Sequence, residues 1–251
     1  MGKMKVIGIY TKDFSLSHDI IEKLKERGIE FVQLHSIENM PSRVGVIITS
    51  SAEGREITKK KVIYADCFRT IDSALDRAIH ILHGGERIVI GVDPGEYPGI
   101  ALLSGEKVLR TWCASSPEEA LSIIKEILKD FSDQEKIVRI GHGAGRYRDR
   151  IIDGLKQLDV EIEVVDESRT SQVRASSRLE RNEISAIMIA RSIGSSRFDT
   201  ESKGFTNGEI KEIQRRSRIM SGGRITISRE MALKVLRGEI RLEDAIRRAR
   251  N

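Results

Sequence analysis

The sequence predicts an α/β protein in three parts, two α/β units followed by a basic helical tail, and three observations predict it. From residue 4 to about 193, short apolar runs of strand length alternate with stretches whose apolar residues recur at helical spacing. The second unit opens with three consecutive strand runs before its first helix. From Phe198 or Asp199 onward only short helical patterns remain, broken by glycine. These shifts place the parts at 1–85, 86–198 and 199–251, and 251 residues suffice for two domains and an appendage.

Composition excludes several classes. With 39% hydrophobic and 32% charged residues and four Pro, the chain is a globular protein with a densely charged surface, not a disordered one. No run approaches the roughly 18 apolar residues of a membrane span, and Met1-Gly2-Lys3-Met4-Lys5 leads directly into a strand, so a cytoplasmic protein is expected. Cys67 and Cys113 are isolated and read as small buried hydrophobes. A formal charge of +5 and a pI near 9.2 favour a polyanionic partner.

The first unit reads as a small Rossmann-like α/β domain. Val6-Ile7-Gly8-Ile9-Tyr10 is a strand, Ser17 is the expected cap of a helix carrying Ile20, Ile21 and Leu24, and Gly28 ends it. Strands follow at 30–34, 44–48 and 62–64, and Ile71, Ala74, Leu75, Ala78, Ile79 and Leu82 form the stripe of a closing helix. Neither a G-x-G-x-x-G nor a P-loop is present. Ser50-Ser51-Ala52-Glu53-Gly54 reads as a βα loop, and Lys59-Lys60-Lys61 as a solvated face or edge guard.

The second unit is organised around the strand 87–93, a continuous apolar run that ends in Asp93 and turns through Pro94-Gly95-Glu96-Tyr97-Pro98-Gly99 into a second strand. A carboxylate ending such a run is costly if buried, which marks Asp93 as a candidate site residue. Strands at 98–103 and 107–113 complete a meander across Ser104-Gly105-Glu106. Ser116-Pro117-Glu118-Glu119 is a capping box with Pro at the first helical position. A strand at 137–140, a helix at 147–158, a strand at 161–165 and a helical stretch from about 170 to 193 give the order βββαβαβα.

That order, with Gly91-Val92-Asp93-Pro94-Gly95 first, resembles the ribonuclease H-like superfamily, and within it the RuvC-type Holliday-junction resolvases and their YqgF-type relatives. Three further stretches carry the resemblance in the family's order. Ile140-Gly141-His142-Gly143-Ala144-Gly145 is similar to a Gly-containing turn, and Val165-Asp166-Glu167-Ser168-Arg169-Thr170-Ser171 to a D-E-R-x-T-S motif. Asn182-Glu183-Ile184-Ser185-Ala186 is similar to the start of an acid-led final helix. The resemblance implies a mixed sheet and a nuclease needing Mg²⁺ or Mn²⁺, since two-metal hydrolysis holds its ions with several carboxylates. It implies Asp93, Asp166, Glu167 and Glu183 as catalytic residues, with Asp93, Glu167, Glu183 and Glu180 as metal ligands, though Glu180 reads equally as an ordinary surface acid. Parallel strands at 87–93, 137–140 and 161–165 would deliver these acids and the His142 turn to one sheet edge.

The sequence departs from the family at three places. His142 stands where RuvC-type enzymes carry an acid, Glu183 stands for the usual Asp, and Ser168 is inserted before Arg169. His142 reads either as a hydrogen-bonding turn residue or as one that ligates or positions water. Asp166 and Glu167 point to opposite sides if both are in strand, so the choice between them stays open.

Cations gather around these motifs. Arg146, Arg148, Arg169 and Arg174 are expected to contact phosphate, because the guanidinium fork matches phosphate oxygens. From Glu201 the tail carries 13 Lys and Arg against 7 Asp and Glu, with Lys211, Arg215, Arg216 and Arg218 in one basic stretch. Its expected helices open at Thr206-Asn207-Gly208-Glu209, at Ser228 and at Leu242.

The expected function is a metal-dependent, structure-selective nuclease of branched DNA or RNA, and a resolvase of this type would act as a homodimer. The alternative is a nucleic-acid-binding protein of the same fold that does not cut. An actin-like ATPase shares the D-x-G turn but needs two copies of the fold, and the first unit lacks a second D-x-G.

Overall fold

A computed structural model describes residues 5–58, 60–143, 145–165, 177–192, 207–236 and 240–249. It divides the chain into two compact units, 1–198 and 199–251.

The first unit holds two sheets. Val6–Ile9 (β1), Phe31–Gln33 (β2), Val44–Thr49 (β3) and Lys61–Tyr64 (β4) form a wholly parallel sheet in the order β2-β1-β3-β4. The helices Phe14–Glu26 (α1) and Ile71–Leu82 (α2) bury Ile20, Leu24, Ala74, Leu75 and Ala78 against Ile7, Ile9, Val46 and Ile48. Their spacing follows the 3.6-residue period, so one stripe of each helix is removed from water. The cap of α1 corrects the sequence expectation. Asp13 is the cap, its carboxylate accepting the Leu16 N–H at 3.0 Å, and Ser17 lies inside the helix. A carboxylate available one turn earlier satisfies the free N–H groups first, and the helix begins there. Gly28, at φ +63°, ends it.

The second sheet comprises Ile88–Asp93 (β5), Gly99–Ser104 (β6), Lys107–Cys113 (β7), Lys136–Gly141 (β8) and Glu161–Val165 (β9), in the order β7-β6-β5-β8-β9. The β5, β6 and β7 strands are antiparallel, whereas β5, β8 and β9 run parallel. Between them lie Pro117–Asp130 (α3) and Gly145–Leu155 (α4), and after β9 comes Arg178–Arg191 (α5). Each strand alternates, so β5 sends Ile88, Ile90 and Val92 into the core under α3 and α4, and Val89 to the side covered by α5. The α3 cap is Ser116, which accepts the Glu119 N–H at 3.2 Å. The Glu119 carboxylate reaches back to the Ser115 N–H at 2.7 Å, one residue earlier than a capping box predicts. The expected helices at 147–158 and 170–193 are observed as α4 and α5, and residues 170–176 lie outside the described residues.

The two sheets are joined by buried charge. Asp76 on α2 is 1% exposed and lies 2.8 Å from both Arg27 Nη1 and Arg110 Nη2, the latter on β7. Arg110 also stacks on Trp112, with its guanidinium 4.4 Å from the ring centroid. Nearby, buried His80 contacts Ser104 Oγ through Nδ1 at 2.8 Å and Gln134 Oε1 through Nε2 at 2.9 Å.

The second unit packs Asn207–Met220 (α6), Arg229–Leu236 (α7) and Leu242–Arg248 (α8) around Ile210, Ile227, Ala232 and Ala245. Gly222 and Gly223, at φ +64° and +83°, end α6. Thr206 and Arg237 lie outside the described residues. Cys67 is exposed and Cys113 half-buried, unlike the buried pair expected, because Cys67 ends a one-turn helix that buries Ala65 instead. No helix among the described residues is long and apolar enough to cross a membrane.

Candidate active site

The site grows from the seat of α5 on the sheet. Alternation along β5 puts Val89, Gly91 and Asp93 on the α5 side. A Cβ at Gly91 would stand 2.1 Å from the Ala186 carbonyl oxygen, and one at Gly99 would stand 2.0 Å from that of Asn182. Both strands therefore need glycine for the helix backbone to lie directly on them. Gly99 is the cross-strand partner of Asp93 and also lies against the Asn182–Glu183 peptide. The first turns of α5 and the end of β5 thus meet at one edge of the sheet. A hydrogen bond of 2.7 Å from Asn182 Nδ2 to the Tyr97 carbonyl fixes the β5–β6 turn to the helix.

Two of the four expected catalytic acids come to this edge. Asp93 is half-buried at the end of β5. Glu183 is half-buried on α5, and its Oε2 accepts the Thr111 hydroxyl at 2.8 Å. Thr111 stands on β7, two strands from Asp93 and level with Ala101 and Gly91, so this bond turns the Glu183 carboxylate toward β7 and away from Asp93. Glu180 is exposed one turn earlier, its N–H capped by Ser177 at 3.1 Å. The parallel run of β5, β8 and β9 brings Asp93, Gly141 and Val165 to the same edge, and the His142 N–H extends the β9 ladder by bonding Val165 O at 2.8 Å. Asp166, Glu167, Arg169 and Arg174 lie outside the described residues.

These placements bear on a metal. Among the described residues, no group of three or more His, Cys, Asp or Glu is placed to hold an ion. Asp93 and Glu183 are of the ligand type that Mg²⁺ and Mn²⁺ favour, but Glu183 is turned toward Thr111 two strands away.

The arginines differ in what they touch. Arg148 is largely buried, donating to the His142 carbonyl at 2.8 Å and to Asp149 at 2.9 Å, and so holds the turn after β8. Arg146 lies on the Tyr147 ring, 5.1 Å from its centroid, and Arg150 pairs with Glu118. Arg139 bonds Glu163 at 2.8 Å and the Ala190 carbonyl at 2.6 Å, tying the last turn of α5 to β8 and β9. In the second unit, Lys211 and Arg218 are exposed. Arg215 and Arg216 both bond Glu212, at 2.8 and 3.0 Å. Those hydrogen bonds hold the Glu212 carboxyl down at about 2.

Sequence reasoning missed Thr111, Asn182, Gly99 and Arg139. Alternation along β7 puts Thr111 on one face, but nothing local shows that Glu183 is what it meets.

Comparison with known proteins covers the ends of the chain better than its middle. Residues 6–82 match the family model of a response regulator receiver-like domain, and residues 206–251 that of a three helical bundle domain. Neither is a nuclease family. No curated protein matches the chain. Among solved structures, the Thermus thermophilus RuvC structure is similar at 15% identity over 41% of this chain and 90% of that one, with a TM-score of 0.31.

Proposed function

We propose that the protein is a metal-dependent nuclease that hydrolyses phosphodiesters of branched DNA or RNA, with its site at the carboxyl edge of the β7-β6-β5-β8-β9 sheet. The observation that carries this reading is the meeting of Asp93 and the Glu183 turn of α5 over Gly99. It is supported by the sequence motifs, which put Asp166 and Glu167 directly after β9, a strand that ends at that edge. Asp93 and Glu183, with Asp166 or Glu167 and with Glu180, would hold Mg²⁺ or Mn²⁺. Bound there, the ion would supply Lewis-acid stabilisation of the leaving oxygen and a nucleophilic water at neutral pH.

The chain's own contribution is to orient and neutralise. Thr111 holds one Glu183 oxygen and leaves the other for an ion, as metal-binding carboxylates are commonly held. Arg146, Arg169 and Arg174 would meet the phosphate backbone, with Arg148 keeping the His142 turn in place. The proposed division of labour is 1–85 as a docking or regulatory domain, 86–198 as the nuclease and 199–251 as a basic region binding the substrate backbone through Lys211 and Arg218, with Arg215 and Arg216 contributing as far as Glu212 releases them.

A second reading is binding without cutting, since His142 stands where RuvC-type enzymes carry an acid. One experiment separates them. Purified full-length protein with Mn²⁺ should nick four-way junctions or RNA–DNA hybrids, and Asp93→Asn should abolish nicking while binding persists. Wild-type protein that binds these substrates but cuts none with any divalent ion establishes the second reading.

A further inference from the structure

A cleft of about 370 Å³ lies where the two sheets meet, away from the carboxylate edge. One wall is the edge strand β4, with Lys61, and the other is the Asp133–Gln134 loop that leads into β8. Between them α2 contributes Arg77, His80 and Ile81, whose spacing of three and four residues puts them on one helix face. Gly84 and Gly85, at φ +95° and +66°, carry the chain past the cleft into β5. The β5 and β8 strands run parallel, so a site that precedes both stands at the end of the sheet opposite Asp93.

The charges in this cleft do not cancel. The Asp133 carboxylate is spent, since it pairs with Arg77 Nη2 and accepts Gln134 Nε2 at 2.9 Å. Both His80 nitrogens are engaged, and burial first, then Arg77 and Lys61, push the imidazole down against the Gln134 hydrogen bond and Asp133, so the ring is neutral at pH 7. Two cations thus face one carboxylate. Lys61 is exposed and makes no ion pair among the described residues. The Arg77 side chain is 11% exposed, and its buried Nη1 has no acceptor, a costly state for a charged donor. The carbonyls at the end of α2 do not oppose an anion, because the Gly84 and Gly85 N–H groups bond back to Ile81 and His80 at 3.2 and 2.9 Å.

What these cations lack is an acceptor with several oxygens. A phosphate group is such an acceptor, since the guanidinium fork matches its oxygens and a lysine adds a point charge. The volume also leaves room for more than a bare ion, falling in the range of small-molecule sites, roughly 300 to 1,000 Å³. Val62, Ile63 and Ile81 give the cleft an apolar wall for the remainder.

We propose that this cleft binds a phosphate monoester of a small organic molecule, with the phosphate between Lys61 and Arg77 and the organic body against Val62, Ile63 and Ile81. Bound there, the ligand ties the first sheet to the second. The site stands apart from the nuclease reading and does not depend on it.

The test titrates the full chain by calorimetry with phenyl phosphate and with inorganic phosphate, at constant ionic strength and without divalent ions. Phenyl phosphate is expected to bind about tenfold more tightly than inorganic phosphate, because its ring leaves water. Lys61→Gln and Arg77→Lys should each weaken it by about tenfold. Lys61→Gln alters an exposed side chain and should melt as wild type does, and Arg77→Lys keeps a charge for Asp133 while losing the fork. Phenyl phosphate should raise the melting temperature of wild type by more than that of either variant. No binding at millimolar concentration overturns the proposal and leaves Nη1 to water or to the Phe131 ring, whose centroid is 5.3 Å from the guanidinium. Binding that neither variant weakens puts the phosphate elsewhere on the chain and overturns it too. Inorganic phosphate bound as tightly as phenyl phosphate reduces the cleft to an ion site. Displacement of phenyl phosphate by a DNA duplex assigns the two cations to a nucleic-acid backbone, and the small-molecule ligand falls.

Discussion

Gly99 lies directly beneath Asn182: a β-carbon on the glycine would stand 2.0 Å from the asparagine carbonyl oxygen. That separation is far inside van der Waals contact, and the obstacle is helix backbone, which cannot swing aside as a side chain does. Gly99→Ala must therefore lift the first turns of α5 from the sheet and carry Glu183 with them. The expected loss is about 2–3 kcal/mol of unfolding free energy in urea titration, the range of an overpacked core. Gly28→Ala is the control, since nothing lies within 4 Å of that position and only its φ of +63° resists a side chain. It should cost about 1 kcal/mol and leave nucleic-acid binding unchanged.

How much of this could be read in advance depends on whether the cause is local. The end of β5 at Asp93 was legible because a carboxylate ending an apolar run is a local anomaly, and the parallel run of β5, β8 and β9 followed from strands separated by helices. The seat of α5 was not. Gly91 and Gly99 read as strand and turn glycines, and their purpose is visible only when Ala186 and Asn182 arrive from far along the chain. The sequence reading put the α1 cap at Ser17, whereas Asp13, a capping residue one turn earlier, is the cap. Counting cations in the tail could not show that Glu212 holds two of them.

Thr111 donates to Glu183 at 2.8 Å, and removing that hydroxyl tests whether the acid's orientation matters. Thr111→Val keeps the shape of the side chain and loses the donor. A net hydrogen bond is worth about 1 kcal/mol, so the fold should be weakened by no more than that. Mn²⁺ affinity, followed by calorimetry, should fall by roughly tenfold or more, as when a partner of a metal-binding carboxylate is removed. Unchanged Mn²⁺ affinity would show that the Thr111 bond plays no part in holding the ion.

His80 makes stability depend on pH in a stated direction. Burial pushes its imidazole below the ordinary 6.5, with Arg77 and Lys61 nearby adding to the effect while the Gln134 hydrogen bond and Asp133 oppose it. The unfolded chain takes up this proton first, so stability held above pH 6.5 is lost as the pH falls below it toward the folded value. The melting temperature should drop between about pH 7.5 and about pH 5.5. His80→Gln should flatten that limb only in part, because His83 is shifted the same way by burial and by Lys107. A curve of unchanged slope in the variant would mean that His80 takes up its proton over the same pH range in the folded and unfolded chain.

Glu212 restrains the cations with which α6 would meet a phosphate backbone. Its carboxylate bonds Arg215 and Arg216 together, which draws its pKa down to about 2. The contribution of the pair to stability is therefore present above the ordinary 4.5 and is lost as the pH falls through about 2. At neutral pH the carboxylate stays charged and competes with phosphate for both guanidinium groups. Glu212→Gln should release them, tightening binding to a DNA duplex at low salt and steepening the fall of log K with log salt by up to about two, one for each phosphate gained. Arg215→Ala in the same background should reverse about half of that change. If Glu212→Gln alters neither affinity nor slope, Arg215 and Arg216 face away from the nucleic acid and the contact belongs to Lys211 and Arg218.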